Sequence, residues 1–216
     1  MRLRRPQLLR SGRFGLTSAA ALLLAVSATA AVAQSPVPTK TFTNEGAHYS
    51  VALPEGCRHD EGPGTLDAVC APDFDPERSA RANSNSALVM QVSAEIVPDD
   101  AGRTASELAT AYAEKNLREE LPQAVCGESD AARVRIENVK QAIEENRVTY
   151  TADVICAEVS FLQVPERRAA VRFLIGPSGR YRLIARGPTE DFEKNKQAIG
   201  AFFDSFRVLP PGSKGQ

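Results

Sequence analysis

The side chains best suited to chemistry are four cysteines, Cys57, Cys70, Cys126 and Cys156, and one histidine, His59, two positions after the first of them. Cys57, His59 and Cys70 could supply three ligands to zinc, which prefers thiolate and imidazole groups. The alternative is a pair of disulfides with a solvated histidine beside one of them. An even number of cysteines favours disulfides in an exported protein, because the cytosol keeps thiols reduced.

The N-terminus predicts export. Residues 1–33 contain five arginines and no acidic residue, followed by a short apolar run that ends in Ala31-Val32-Ala33. A basic segment, a short apolar segment and an Ala-x-Ala site are typical of a secretory signal peptide. We expect cleavage after Ala33 and a periplasmic or secreted mature protein. No later run is apolar enough to predict a membrane span after cleavage.

Export favours the disulfides over zinc, so we expect neither a metal nor a cofactor. Four cysteines allow three pairings. We favour Cys57–Cys70 and Cys126–Cys156, because each bridge then ties a long irregular stretch to a neighbouring strand. In the chain-entropy model the two loops are worth about 3 and 3.5 kcal/mol.

The sequence contains no recognisable catalytic motif. It has two histidines and no Gly-x-Ser-x-Gly nucleophile elbow. Asp73, Asp75 and Glu77 are spaced as in a calcium loop, but Arg78 stands where that loop requires glycine. We therefore expect no catalytic residue and, on balance, no enzyme. Paired carboxylates leave no sequence signature, so a small exported hydrolase that uses dispersed carboxylates is the alternative.

The stretch Glu166 to Arg186 contains six arginines and one acidic residue. Its apolar residues share one face of a hairpin if Val171 opposes Leu183, a register that also sets Arg172 opposite Arg182. Like charges in that position destabilise a sheet unless something compensates. One interpretation is carboxylates from neighbouring elements; the other is an anionic ligand or an acidic partner on the stripe. The candidate binding residues are Arg168, Arg172, Arg180, Arg182 and Arg186, with Arg168 expected opposite Arg186.

Hydrophobic periodicity predicts an α+β domain. Alternation of period two, typical of half-buried antiparallel strands, marks several segments, among them Tyr49-Val51-Leu53 and the even positions from Val148 to Cys156. Thr104-Ala-Ser-Glu107 is a capping box and predicts a helix that ends before Pro122. A second helix is expected after Pro188, with Thr189 as its N-cap and an apolar stripe formed by Phe192, Ile199, Phe202, Phe203 and Phe206. We expect a mainly antiparallel sheet packed with two helices.

Composition sets the domain limits. We expect a tether at 34–39, one domain at 40–208 and a flexible tail at 209–216. Pro54 to Ala87 is expected to be an irregular excursion held by the first disulfide. After cleavage the chain has 21 basic and 27 acidic residues, a formal charge of −6, which disfavours nucleic acid as a partner.

The order of elements resembles the PsbP-like superfamily. The resemblance is carried by Tyr49-Ser-Val-Ala-Leu-Pro54, by the Gly176–Gly179 hairpin running into Tyr181, and by Phe203-Asp-Ser-Phe-Arg207. It implies an α/β/α sandwich and a non-enzymatic accessory or binding protein. The resulting hypothesis is an exported, disulfide-stapled periplasmic accessory or binding protein. Its expected partner is a protein or envelope component, with an acidic partner as one alternative.

Overall fold

The computed structural model describes residues 37–84, 86–112, 114–126, 134–144, 146–157, 165–177 and 179–210. Every one of them lies in a single compact unit, Ser35–Gln216. The predicted signal peptide, half of the predicted tether and all but two residues of the predicted tail lie outside these ranges.

Strands dominate the described part of the chain. They are β1 (Thr39–Asn44), β2 (Tyr49–Pro54), β3 (Arg58–Gly62), β4 (Thr65–Cys70), β5 (Leu88–Glu95), β6 (Val134–Glu144), β7 (Arg147–Cys156), β8 (Arg167–Gly176), β9 (Gly179–Pro188) and β10 (Arg207–Val208). The helices are α1 (Pro76–Arg81), α2 (Ala105–Ala111), α3 (Glu114–Cys126), α4 (Thr189–Lys194) and α5 (Lys196–Ser205). A short 3-10 turn, Pro98–Asp100, leads from β5 toward α2.

The strands form two antiparallel sheets. The main sheet has seven strands in the order β3-β4-β5-β9-β8-β7-β6, and the small sheet has the order β1-β2-β10. Helices α2 and α3 pack on one face of the main sheet. Helices α4 and α5 pack with the small sheet on the other face, in the largest hydrophobic core. The predicted α+β class is confirmed, with a sheet layer between helical layers.

Local hydrophobic patterns place their residues as predicted. Tyr49, Val51 and Leu53 of β2 are buried, and so are the even positions of β7 from Val148 to Cys156. The apolar stripe predicted after Pro188 is buried in full: Phe192, Ile199, Phe202, Phe203 and Phe206. Burial of such side chains from water is the main stabilising contribution to a core of this kind.

The helices differ from the prediction at their ends. The capping box at Thr104 is present, but α2 ends at Ala111 and a separate helix, α3, continues through Pro122. Proline removes one helical hydrogen bond, and the burial of Leu121 and Val125 against the sheet offsets that loss. Thr189 is the first residue of α4 rather than its N-cap, and its hydroxyl donates to Glu166.

The stretch from Pro54 to Ala87 is not an irregular excursion. It contains the hairpin β3–β4, which extends the main sheet, and the short helix α1, which Asp75 caps. The prediction failed because the strand Arg58–Gly62 lies at the sheet edge with exposed polar residues, so it shows no apolar alternation. Gly56 joins β2 to this hairpin with a φ of 87°, a conformation that favours glycine.

Candidate binding groove

The register of the β8–β9 hairpin is set by its turn. Gly176 pairs with Gly179, so the connection has two residues, and Val171 lies opposite Ile184 rather than Leu183. The predicted register is therefore wrong by one residue. It assumed that the apolar residues of both strands share one face, whereas Leu174 and Ile184 are also buried and both faces of the hairpin are covered.

This register separates the arginines that were expected to oppose each other. Arg172 lies opposite Leu183 instead of Arg182, and Arg168 lies opposite Gly187 instead of Arg186. Because partners across a ladder share a face and the side chains along a strand alternate, the five candidate arginines divide between the two faces of the sheet. No single basic stripe is formed by them.

Arg168 and Arg172 lie on the face that carries α4 and α5. Arg168 forms an ion pair with Glu193 at 3.0 Å. Arg172 donates to the carbonyl oxygen of Phe203 at 2.8 Å, lies over that ring and is 3.6 Å from Asp204. Both arginines therefore attach the C-terminal helices to β8.

Arg186, on the opposite face, binds the C-terminal end of α3. Its Nη1 donates to the carbonyl oxygen of Val125 at 3.0 Å, and Arg167 donates to that of Cys126 at 3.2 Å. Burial lowers the pKa of both guanidinium groups, and the charge of Arg167 lowers the pKa of Arg186 further. Cations at this end of a helix satisfy its last carbonyl groups and its dipole, so this pair has a structural role.

Arg180 belongs to a cluster on the same face. Its Nε donates to Asp100 at 3.0 Å, and its guanidinium group lies 4.0 Å from the ring centre of Tyr112. The hydroxyl of Tyr112 is 3.0 and 3.1 Å from the two carboxylate oxygens of Asp100, which is almost fully buried. Glu95 lies 3.9 Å from Arg180 on the exposed side.

Arg182 differs from the other arginines of the hairpin. Its Nε is 3.2 Å from the hydroxyl of Ser93, its cross-strand neighbour on β5. Within the ranges that the structure describes, no carboxylate lies within ion-pair distance of its guanidinium group. Of the five candidate residues, Arg182 is therefore the one whose guanidinium group has neither a carboxylate nor a backbone carbonyl as a partner among the described residues.

Arg182 opens into a groove of about 380 Å³ between the main sheet and helices α2 and α3. We call it the Arg182 groove. Its walls include Ser93, Tyr112, Phe173, Ile175, Arg180 and Arg182, with the carboxylates of Glu95 and Glu120 also lining it. Small-molecule sites are commonly clefts of about this size, with apolar walls and a few polar groups.

A second groove, of about 430 Å³, lies between α5 and the exposed face of β6, β7 and β8. Its basic residues are Lys140 and Arg172, and Asp153 stands between the two strands that carry them. Since Arg172 already binds Phe203 and Asp204, Lys140 is the basic residue of this groove that has no ion pair among the described residues.

The cysteines form the two predicted bridges, Cys57–Cys70 and Cys126–Cys156, with Cα separations of 4.4 and 5.7 Å. His59 packs edge-on against Phe42 and is exposed. Since Cys57 and Cys70 are oxidised, they do not form a thiolate site with that histidine. In the described ranges, no group of three or more His, Cys, Asp or Glu side chains is arranged to hold a metal ion.

The acidic run that resembles a calcium loop serves the backbone. Asp75 accepts from the backbone N–H of Arg78 at 2.8 Å and caps α1. The carboxylate of Asp73 forms an ion pair with the side chain of Arg78 at 2.5 Å. Both carboxylates therefore have partners within the chain.

Comparison with known proteins gives similarities of fold. No family model matches the chain, and no curated protein sequence matches it. It is similar to the solution structure of cyanobacterial PsbP (CyanoP) from Synechocystis sp. PCC 6803, with 15% identity and a TM-score of 0.47, over 82% of this chain and 96% of that one.

It is also similar to LpqN, described as involved in cell envelope biogenesis of Mycobacterium tuberculosis, with 10% identity and a TM-score of 0.46, over 80% of this chain and 86% of that one. The predicted resemblance to PsbP-like domains is thus confirmed as a weak resemblance. It assigns no residue a role. None of the helices formed by the described residues is long and apolar enough to cross a membrane.

Proposed function

We propose that the protein is an exported, disulfide-bonded accessory or binding protein without catalytic machinery, and that it binds its ligand or partner in the Arg182 groove. The observation that carries the proposal is the groove itself, a cleft of about 380 Å³ with apolar and aromatic walls and one arginine that has no acidic partner among the described residues. Such a lining suits recognition of a small molecule or of a protruding side chain.

The cysteines and the N-terminus support export. The structure contains two disulfides and no free cysteine, which is the state expected in an oxidising compartment. The basic and apolar N-terminus supports cleavage after Ala33. Cell fractionation and intact-mass measurement test this directly. We expect an exported product that begins at Gln34. An uncleaved protein, found in the cytosol with residues 1–33 still attached, would refute export.

The carboxylates of the groove favour binding over hydrolysis. A general acid needs a carboxyl group in an apolar, water-poor setting. Glu95 is instead 70% exposed and lies 3.9 Å from Arg180, and Glu120 is exposed on α3. Among the described residues that line the groove, Glu95 and Glu120 are therefore too exposed to serve as the sheltered carboxyl group that the hydrolase alternative requires.

Site-specific photocrosslinking in living cells tests the groove as a binding site. A photoreactive phenylalanine analogue replaces Glu120, at the groove, or Glu77, an exposed residue of α1 outside it. We expect a discrete adduct from position 120 that position 77 does not give. The same adducts from both positions, or no adduct from position 120, would overturn the proposal.

A further inference from the structure

The chemistry of the occupant follows from Arg182, and this inference rests on the proposed function of the groove. Among the described residues, the other arginines of the β8–β9 hairpin are held by backbone carbonyls or by carboxylates. Among those residues Arg182 makes one side-chain hydrogen bond, through Nε to Ser93. The four N–H groups of its two terminal nitrogens lie in a planar fork that matches a carboxylate.

The neighbours of Arg182 define an apolar compartment beside this fork. Phe173 of β8 lies directly opposite Arg182 across the ladder, and Ile175 continues the same face. The ring of Tyr112 stands on the helix side of the groove, where Arg180 stacks on it. When the anionic group of a ligand binds Arg182, the rest of the ligand therefore contacts apolar side chains.

The nearby acidic groups limit the charge of the ligand. Asp100 is already bound to Arg180 and Tyr112, but Glu95 and Glu120 line the groove as exposed carboxylates. Two such charges repel a doubly charged phosphate more than a singly charged carboxylate. The formal charge of −6 on residues 34–216 acts in the same direction.

We propose that the Arg182 groove binds an organic monocarboxylate with an apolar tail, its carboxylate on the Arg182 fork and its tail against Phe173 and Ile175. The first probe is phenylacetate. Acetate lacks the apolar tail, benzyl alcohol lacks the charge, and phenethylammonium reverses it.

Affinities are measured by titration of the isotope-labelled, disulfide-bonded protein, followed by the backbone amide signals of Ser93 and Arg182. We expect phenylacetate to shift these signals and to bind at least about 10-fold more tightly than the other three probes. Raising the salt concentration weakens its binding, because an exposed charge pair is screened.

Two variants of Arg182 separate its charge from its shape. Arg182→Gln is expected to weaken phenylacetate binding roughly 10- to 100-fold, and Arg182→Lys to weaken it less, because lysine keeps the charge and loses the fork. Arg81→Gln, at an exposed position of α1 outside both grooves, is the matched control and leaves the affinity unchanged. Circular dichroism confirms that each variant is folded, and Arg182→Lys serves alone if Arg182→Gln is not.

Equal affinity for phenylacetate and benzyl alcohol would overturn the carboxylate assignment while leaving the groove a binding site. Unchanged affinity in both Arg182 variants, or no shift of the groove signals with phenylacetate, would overturn it as well. Crosslinking from position 120 decides the proposed function independently, because it does not depend on the chemistry of the probe.

Discussion

The buried carboxylate of Asp100 tests whether its contacts with Arg180 and Tyr112 stabilise the domain next to α2. It is 1% exposed and accepts hydrogen bonds from Arg180 and Tyr112, while Arg103 lies 3.8 Å away. Asp100→Asn preserves the shape of the side chain. It removes the negative charge, however, and turns one acceptor into a donor that faces donors.

The structure sets the size of the effect. Removing one partner of a buried ion pair costs about 3–5 kcal/mol, because the other charge stays desolvated. The side chain of Arg180 is 29% exposed, so water compensates part of that loss and the expected decrease in unfolding free energy is about 2–4 kcal/mol. For a domain of this length that corresponds to a fall in Tm of roughly 5–15 °C.

Urea and thermal unfolding of the oxidised protein measure the change. Glu95→Gln is the matched control, because Glu95 faces the same arginine at 3.9 Å but is 70% exposed, and its expected effect is within about 0.5 kcal/mol. A double-mutant cycle with Arg180→Gln isolates the coupling between the two charges. If Asp100→Asn costs no more than Glu95→Gln, the buried pair does not hold α2 as the geometry indicates.

Three further predictions concern tyrosines and glycines. Tyr181→Phe removes a buried hydroxyl that has no hydrogen-bond partner among the described residues, so the urea midpoint is expected to stay the same or to rise. Tyr112→Phe instead loses the hydrogen bonds to Asp100, and the free energy of unfolding falls by about 1–2 kcal/mol. Gly56→Ala would place Cβ 1.9 Å from a backbone oxygen, at a φ of 87° that favours glycine, so it is expected to lower Tm. The Cβ of Gly200→Ala meets no atom within 4 Å, and alanine favours the helix α5, so this variant is expected to raise Tm. Burial raises the pKa of Tyr49 from 10.0 to about 12 and also raises the pKa of Tyr181. The free energy of unfolding therefore keeps its full value below pH 10 and decreases between pH 10 and 12, because the unfolded chain loses these protons first. Tyrosinate absorbance and circular dichroism, recorded together, measure this decrease.

Features that depend on neighbouring residues were predictable. The alternation in β2 and the aromatic stripe of α5 can each be recognised from a few consecutive residues. Each element buries one face, and that face sets the period at which its apolar residues recur in the sequence. Strand Arg58–Gly62 was missed for the opposite reason, since an exposed edge strand has no buried face to show in its sequence.

The residues of the proposed binding site could be predicted only in part. Arg182 belonged to the candidate set, but its polar contact, Ser93, lies 89 positions away, and Asp100 lies 80 positions from Arg180. These contacts arise from the pairing of β5 with β9, which periodicity does not reveal. Phe173 was identified as apolar, yet its place beside Arg182 depended on the register.

The two-residue turn between Gly176 and Gly179 explains why Arg182 has no acidic partner among the described residues. A register shifted by one residue would have set Arg172 against Arg182, and two facing guanidinium groups would each have needed a carboxylate. In the observed register they lie on opposite faces of the sheet, and Arg172 reaches the end of α5. On the other face Arg180 takes Asp100, the acid supplied by the turn after β5, and Arg182 meets the hydroxyl of Ser93. The same register that removes the repulsion therefore leaves the terminal nitrogens of Arg182 without a partner among the described residues.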